Sequence, residues 1–333
     1  MVTNENMLSA SAPGKLILSG EHSVVYGAPA IAVAVNHLIT ASFAPSDDGY
    51  LTISSSIGSQ RYSLKQLELI VDKLNQRFDE FLLGHLPVSQ ILDNPIDLLF
   101  YAYAFSEARL AGHLSIESAI PTGAGMGSSA AVIAAILKLF TSNSISTSDA
   151  LPFYRKVQHC ERLQHGRGSA IDAAAVTFGG AVRLQNNNVE PISLELGEGW
   201  FRYHSGTPLC STGETVSFVR KHFDNSSIWD DFADVTRRFE GIQGNQQQLL
   251  SLVRANNRLL QTIGVVPSSV AALIDRIERL GGAAKVCGAG AHVGTNAGQV
   301  LVYLPTQKVA KVESLLDITL IPIHQQIEGA RLA

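Results

Sequence analysis

The chain has 333 residues, 46% of them hydrophobic and 16% charged, with a formal net charge of −4. That balance excludes a disordered chain, and the length is comfortable for two domains in one enzyme. There is no basic block and no interleaving of basic with aromatic residues, so a nucleic-acid partner is not expected. Three scattered cysteines, Cys160, Cys210 and Cys287, include no CxxC pair and suggest neither a zinc site nor a disulfide framework. The opening MVTNENMLSASAPGK carries no apolar run of the signal-peptide kind, and no stretch reaches the roughly 18 apolar residues of a membrane span. A soluble cytoplasmic protein without a membrane partner is expected.

The first 60 residues read as short strands, LSASA, KLILSG, AIAVAV, HLITASFA and YLTISSS, parted by Gly, Pro, Asn and Asp. At Ser63 the period changes. Leu67, Val71, Leu74, Phe78 and Phe81 share one helical face, and Ser63 with Gln66 forms a capping box. A second helix is expected over Ile96 to Leu110, followed by a strand, HLSIESAIP. In PTGAGMGSSAAVIAAILKLF a glycine-rich loop leads into a buried helix. A further helix runs from about Ser148 to Leu163 and is ended by His165-Gly166. A short helix then starts near Ser169, GGAVRLQ forms a strand, and Asn186-Asn187-Asn188 marks a turn at the domain boundary. The second half contains helices over Thr212 to Phe223, Gln246 to Ile263 and Ser268 to Leu280. Strands AAKVCG and QVLVYLP flank a second glycine-rich loop, Gly288 to Gly298, and a helix–strand pair follows. Without strict βαβ alternation, the pattern favours α+β over a doubly wound sheet.

The first loop, Gly123-Ala-Gly125-Met-Gly127-Ser128-Ser129, enters a helix directly. Free N–H groups and the helix dipole make such a junction an anion site, and glycines let phosphate oxygens approach the backbone. The GK[ST] ending of a Walker A loop is missing, and the glycine spacing does not fit a dinucleotide fingerprint. On the loop alone, a plain turn with Ser128 or Ser129 as N-cap is the simpler reading. The second loop alone reads as a hairpin connection.

Four segments together resemble the GHMP kinases. SAPGKLILSGEHSVVYGAPAIAVAVN resembles their first motif, and its GEHxVVYGxPAIA wording resembles the mevalonate kinases among them. PTGAGMGSSAA resembles the second motif, ERLQHGRGSAIDAAAVTFGG the mevalonate kinase stretch E-R-x-x-H-G-x-x-S-x-x-D, and KVCGAGAHVG the third motif. Weaker likeness runs through STGETV, NNRLLQTIGV and EGARL, so the resemblance covers nearly the whole chain. The chain departs from the pattern at Arg167-Gly168 for Asn-Pro, Ala170 for Gly, Cys287 for Thr, and Ala291-His292-Val293 for glycines.

The resemblance implies the two-domain α+β GHMP kinase fold, with residues 1–187 and 188–333 as the domains and the active site in the cleft between them. It also implies ATP and Mg²⁺, mevalonate as acceptor and a possible homodimer. Asp172, by local pattern a helix-capping acid, would take the proton of the acceptor's primary hydroxyl. Lys15, by pattern a surface lysine, would pair with Asp172 and offset charge on the transferring phosphoryl group. Glu161 and Ser129 would be magnesium ligands. Gly123, Gly125, Gly127, Ser128, Gly288 and Gly290 would hold the nucleotide phosphates. Glu21, His22, Thr177 and Gly180 would face the acceptor. Rival readings are another GHMP kinase acting on phosphomevalonate, homoserine or galactose, with Arg167 meeting a phosphorylated acceptor, or a non-catalytic ATP and metabolite sensor. A nicotinamide-dependent dehydrogenase fits neither loop.

Overall fold

Leu8–Ser19 and Ala30–Pro45 form two long antiparallel strands, β1 and β2, into which the short strands expected from the sequence run together. Pro13-Gly14, read from sequence as a break, lies inside β1 because the register slips there. Pro13 pairs with Leu38 but Gly14 pairs with Val35, which leaves Asn36 and His37 bulged out of β2. A bulge is where a strand tolerates a residue with no N–H to donate. The computed structural model describes residues 7–106, 108–121, 125–141, 147–166, 170–242 and 245–333.

Around this pair an eight-stranded sheet is assembled. Its other members are β3 (Tyr50–Ser55), β4 (Gly58–Ser63), β5 (Gly112–Ser118), β6 (Ala181–Gln185), β7 (Asn188–Ile192) and, much later in the chain, β12 (Arg331–Leu332). The order is β12-β1-β2-β5-β3-β4, with β6 on β2 and β7 on β6. Helices α1 (Leu64–Leu82), α2 (Asp97–Phe105), α3 (Ser128–Leu139), α4 (Thr147–His165) and α5 (Ala170–Phe178) accompany this sheet. Helix α3 is buried along its whole length from Ala130 to Leu139, which explains why its sequence is apolar all round rather than striped. Helix α1 begins with the expected reciprocal Ser63–Gln66 capping box and buries Leu67, Leu74 and Phe78.

The second sheet has four antiparallel strands, in the order β11 (Ile321–Pro322), β8 (Trp200–His204), β10 (Gln299–Tyr303) and β9 (Ala283–Cys287). With it go α8 (Gln246–Thr262), α9 (Ser268–Arg279) and α10 (Val309–Leu316), while α7 (Ile228–Glu240) packs on α8 and on β1 and β2 of the first sheet, and α6 (Thr212–Phe223) precedes it in the chain. The mixture of sheets and helices is α+β, as expected.

Three local expectations differ from the structure. Helix α2 stops at Phe105 rather than Leu110, because the chain turns back and Leu110 bonds the Tyr103 hydroxyl through both its N–H (3.1 Å) and its carbonyl (2.5 Å). Helix α7 was not anticipated. It buries Trp229, Phe232, Val235 and Phe239, and Trp229 stacks on Tyr26 with ring centroids 4.1 Å apart. Asn186 and Asn187, at φ 50° and 62°, form the two-residue turn of a β6–β7 hairpin, so that turn lies within the first sheet.

Residues 324–333 fasten the first sheet. Asn36 N–H donates to the His324 carbonyl (3.0 Å), Gly180 N–H to Gln326 (2.8 Å), Ala330 N–H to Val176 (2.9 Å) and Ala333 N–H to Ser9 (2.9 Å). A Cβ on Gly329 would lie 1.9 Å from the Thr177 carbonyl oxygen, which cannot retreat without disturbing α5. Gly329→Ala is therefore expected to destabilise by at least about 1–3 kcal/mol, the usual cost of overpacking, read as a lowered urea midpoint with an unchanged slope.

Candidate functional site

Lys15 lies in β1 immediately after the bulge, with its side chain only 4% exposed. Its N–H donates to the Met126 carbonyl (2.9 Å) and its ammonium to the Gly125 carbonyl (3.0 Å), so both ends grip the first glycine loop. The same ammonium stands 2.9 Å from Asp172 Oδ1. Asp172 sits in the first turn of α5, where the helix dipole favours a carboxylate, and is 17% exposed. Burial lowers the Lys15 pKa, but Asp172, by charge and hydrogen bond, together with Cys287 and Glu161 outweighs it and holds the ammonium above its ordinary value.

The loop meets these groups closely. Gly127 is the N-cap of α3 at φ 71°, and no side chain caps the helix, so neither Ser128 nor Ser129 serves as N-cap. A Cβ on Gly127 would fall 2.9 Å from Lys15 Cγ, so the glycine is needed for its backbone angle and for room beside the lysine. Gly125, at φ 67°, borders open space. Ser128 and Ser129 form the first turn of α3, and Ser129 Oγ is buried with no hydrogen-bond partner among the described residues. Gly123 and Arg167 lie outside the described residues.

Helix α4 brings Glu161 to the same place, its side chain fully buried and its Oε1 3.8 Å from His165 Nε2 one turn on. Burial pushes the His165 pKa down, against the Asp172 carboxylate and with the help of the Lys15 ammonium. In the sequence, His165 has a place in the family stretch and at the helix end but no role in the site. Its spacing of four from Glu161 was the available signal.

Glu21 and His22 belong to a second cluster. The Glu21 carboxylate pairs with the Lys285 ammonium, both side chains being essentially unexposed, and Lys285 Nζ also donates to the Ile17 carbonyl (3.2 Å). His22 Nε2–H donates to the Ala289 carbonyl (2.9 Å), and burial lowers the pKa of the ring. Both thus tie the first motif to the third. Lys285 was missed from sequence, where only the lysine of the third motif itself hinted at it. Thr177 Oγ1 is buried without a partner among the described residues. Gly180 spends its N–H on Gln326 and its carbonyl on Ala34 (both 2.8 Å). In the second loop Gly288 borders open space, whereas a Cβ on Gly290 would meet the Val265 carbonyl at 2.2 Å. His292, one of the departures from the third motif, stacks on Phe218 of α6 with centroids 4.6 Å apart.

Among the described residues, no group of three or more His, Cys, Asp or Glu could hold a metal by itself, and no helix is long and apolar enough to cross a membrane.

Residues 97–180, which include the helix opened by the first glycine loop and Asp172, match the model of the GHMP kinases N terminal domain. The chain is 30% identical over 286 residues to the mevalonate kinase of Archaeoglobus fulgidus, covering 84% of this chain and 88% of that protein. It is likewise 30% identical to that of Pyrococcus horikoshii, covering 84% of this chain and 85% of the other. The chain belongs to the mevalonate kinase family. The crystal structure of Methanococcus jannaschii mevalonate kinase superposes with a TM-score of 0.81 at 20% identity, over 97% of this chain and 99% of that one. Lactococcus lactis galactokinase reaches 0.73 at 15% identity, over 99% of this chain and 96% of that one. At these identities the two structures speak for the fold alone.

Two outcomes follow from the site's geometry. Gly127→Ala is expected to displace the Lys15 side chain and to destabilise by about 1 kcal/mol or more, measurable in urea and visible as a moved lysine in a crystal structure. Because the native His22 pKa lies below its ordinary 6.5, the unfolded chain takes up the proton first. The contribution of the neutral ring is therefore complete above pH 6.5 and is lost as pH falls from there through the depressed native value. His22→Gln is expected to flatten the fall in melting temperature between pH 7.5 and 5.5, roughly a one-unit span on either side of the ordinary pKa.

Proposed function

We propose that the protein transfers the γ-phosphoryl group of ATP to the primary hydroxyl of (R)-mevalonate, giving 5-phosphomevalonate for isoprenoid synthesis. The observation that carries this reading is the buried Lys15–Asp172 pair held against the first glycine loop, in a chain of this family. The acceptor oxygen forms its bond to the γ-phosphorus while the bond to the bridging oxygen of ADP breaks. The hydroxyl proton passes to Asp172, which Lys15 orients. The Lys15 ammonium offsets the charge on the transferring group in a site largely closed to water.

The uncapped N–H groups at the start of α3, with Gly125, Gly127 and Ser128, suit the nucleotide phosphates, and Gly123, Gly288 and Gly290 complete this set in the same reading. Ser129 Oγ, buried without a partner among the described residues, and the buried Glu161 carboxylate fit Mg²⁺, which takes few protein ligands beside phosphate oxygens and water. When bound, that ion supplies charge neutralisation on the phosphates. Thr177, with its buried hydroxyl, Gly180, Glu21 and His22 are assigned to the acceptor side in the same reading. The chain acts as two lobes, 1–187 and 188–333, with the β6–β7 hairpin extending the first sheet a few residues past that point. A cytoplasmic homodimer belongs to the same reading, on the family resemblance.

The test is ADP release with Mg²⁺, offering mevalonate, phosphomevalonate, homoserine and galactose separately. Turnover with mevalonate is expected, and turnover only with another acceptor sinks the assignment. Asp172→Asn is expected to lower kcat by roughly 10²–10⁴-fold with little change in KM. A change confined to KM would remove Asp172 from proton transfer.

A further inference from the structure

Strand β1 carries Lys15, yet β12 covers its outer edge only at Ala10 and Ser11. Further along, backbone groups of β1 turn to side chains from β9 of the second sheet. Ile17 N–H donates to Cys287 Sγ (3.3 Å), and the Ile17 carbonyl accepts from Lys285 Nζ (3.2 Å). The same ammonium pairs with Glu21, just past the strand's end, with 0% and 1% of the two side chains exposed. One buried cation thus grips the chain at two points, two and six residues beyond Lys15. Ser19, between them, is anchored separately by Thr236 Oγ1 (2.7 Å) and Asn256 Nδ2 (2.9 Å), so the strand does not depend on Lys285 to stay in the fold.

A buried ion pair is a poor source of stability, since two apolar side chains of similar size often do as well or better. What the pair supplies is a fixed geometry, with donor, carbonyl and carboxylate in one arrangement. An unpaired strand edge has no such definition by itself.

We propose that Lys285 is a positioning residue for phosphoryl transfer: by clamping Ile17 and Glu21 it holds β1 where the Lys15 ammonium reaches Asp172. This rests on the kinase reading above for its catalytic half and on geometry alone for its mechanical half.

The two halves are tested together. Lys285→Met alone leaves the Glu21 charge buried without its counter-ion and invites unfolding, so the informative variant is Glu21→Gln with Lys285→Met. Its melting temperature is expected to stay near that of the parent. Amide hydrogen exchange of a peptide spanning residues 14–18 is expected to quicken about tenfold or more, as the strand opens locally, while exchange in α3 is unchanged. With mevalonate and ATP, kcat is expected to fall roughly 10- to 100-fold, the scale of a misplaced catalytic group, with an unchanged Kd for ATP. Lys285→Arg, which keeps the charge and the donors, should recover most of kcat. A folded double variant with the parent's kcat, or with unchanged exchange in residues 14–18, overturns the proposal. Should the parent protein turn over none of the acceptors, the kinase reading fails, and the exchange comparison still decides whether Lys285 holds the strand.

Discussion

A lysine and an aspartate brought together out of water attract each other strongly only where neither can drift, and much of this molecule serves that condition for Lys15 and Asp172. The lysine stem lies against a glycine with no Cβ, its amide and ammonium hold successive carbonyls of the first glycine loop, and its strand slips register just before it. The aspartate comes from the first turn of a helix whose following residues, Ala173 to Val176, are buried to the last. Displacing either partner means moving a sheet or a core helix. Rigid elements place reacting groups better than loops do.

Local chemistry made much of the fold legible. The capping box at Ser63 is formed, and the apolar face of α1 and the buried α3 lie where the sequence placed them. Where local rules misled, a tertiary contact had overruled them. Pro13-Gly14 reads as a break and sits in a strand because β2 bulges opposite it. A helix reading past Phe105 fails because Leu110 has a better partner in Tyr103. The site was less legible still. Nothing near Lys15 announces Asp172, and pattern alone made one a surface residue and the other a cap. Only the resemblance joined them. Glu21 and Lys285 show the limit plainly, because the pairing of distant charges leaves no local trace.

Of the departures from the family's third motif, Cys287, Ala291 and His292 are packed, while Val293 is exposed. Cys287 takes the Ile17 amide and lies against β1, and His292 stacks on an aromatic ring of α6 while its Nδ1 stands 3.5 Å from Thr215 Oγ1. Gly290 is retained where the Val265 carbonyl leaves no room for a Cβ. The loop has exchanged backbone freedom for side-chain contacts on the flank facing α6, while Gly288 still borders open space.

The fastening of the first sheet by residues 324–333 also orders events during synthesis. The first glycine loop, Lys15 and Asp172 have all been made by the time residue 172 is joined. Yet Gly180 and Val176 still wait for Gln326 and Ala330, and the outer edge of β1 waits for Arg331 and Leu332. These are contacts of very long sequence separation, the kind that forms late in folding. A nascent chain therefore carries the Lys15–Asp172 pair long before it has the backbone that holds it, and a message broken before residue 324 yields a polypeptide with the motifs of a kinase and an unfinished sheet.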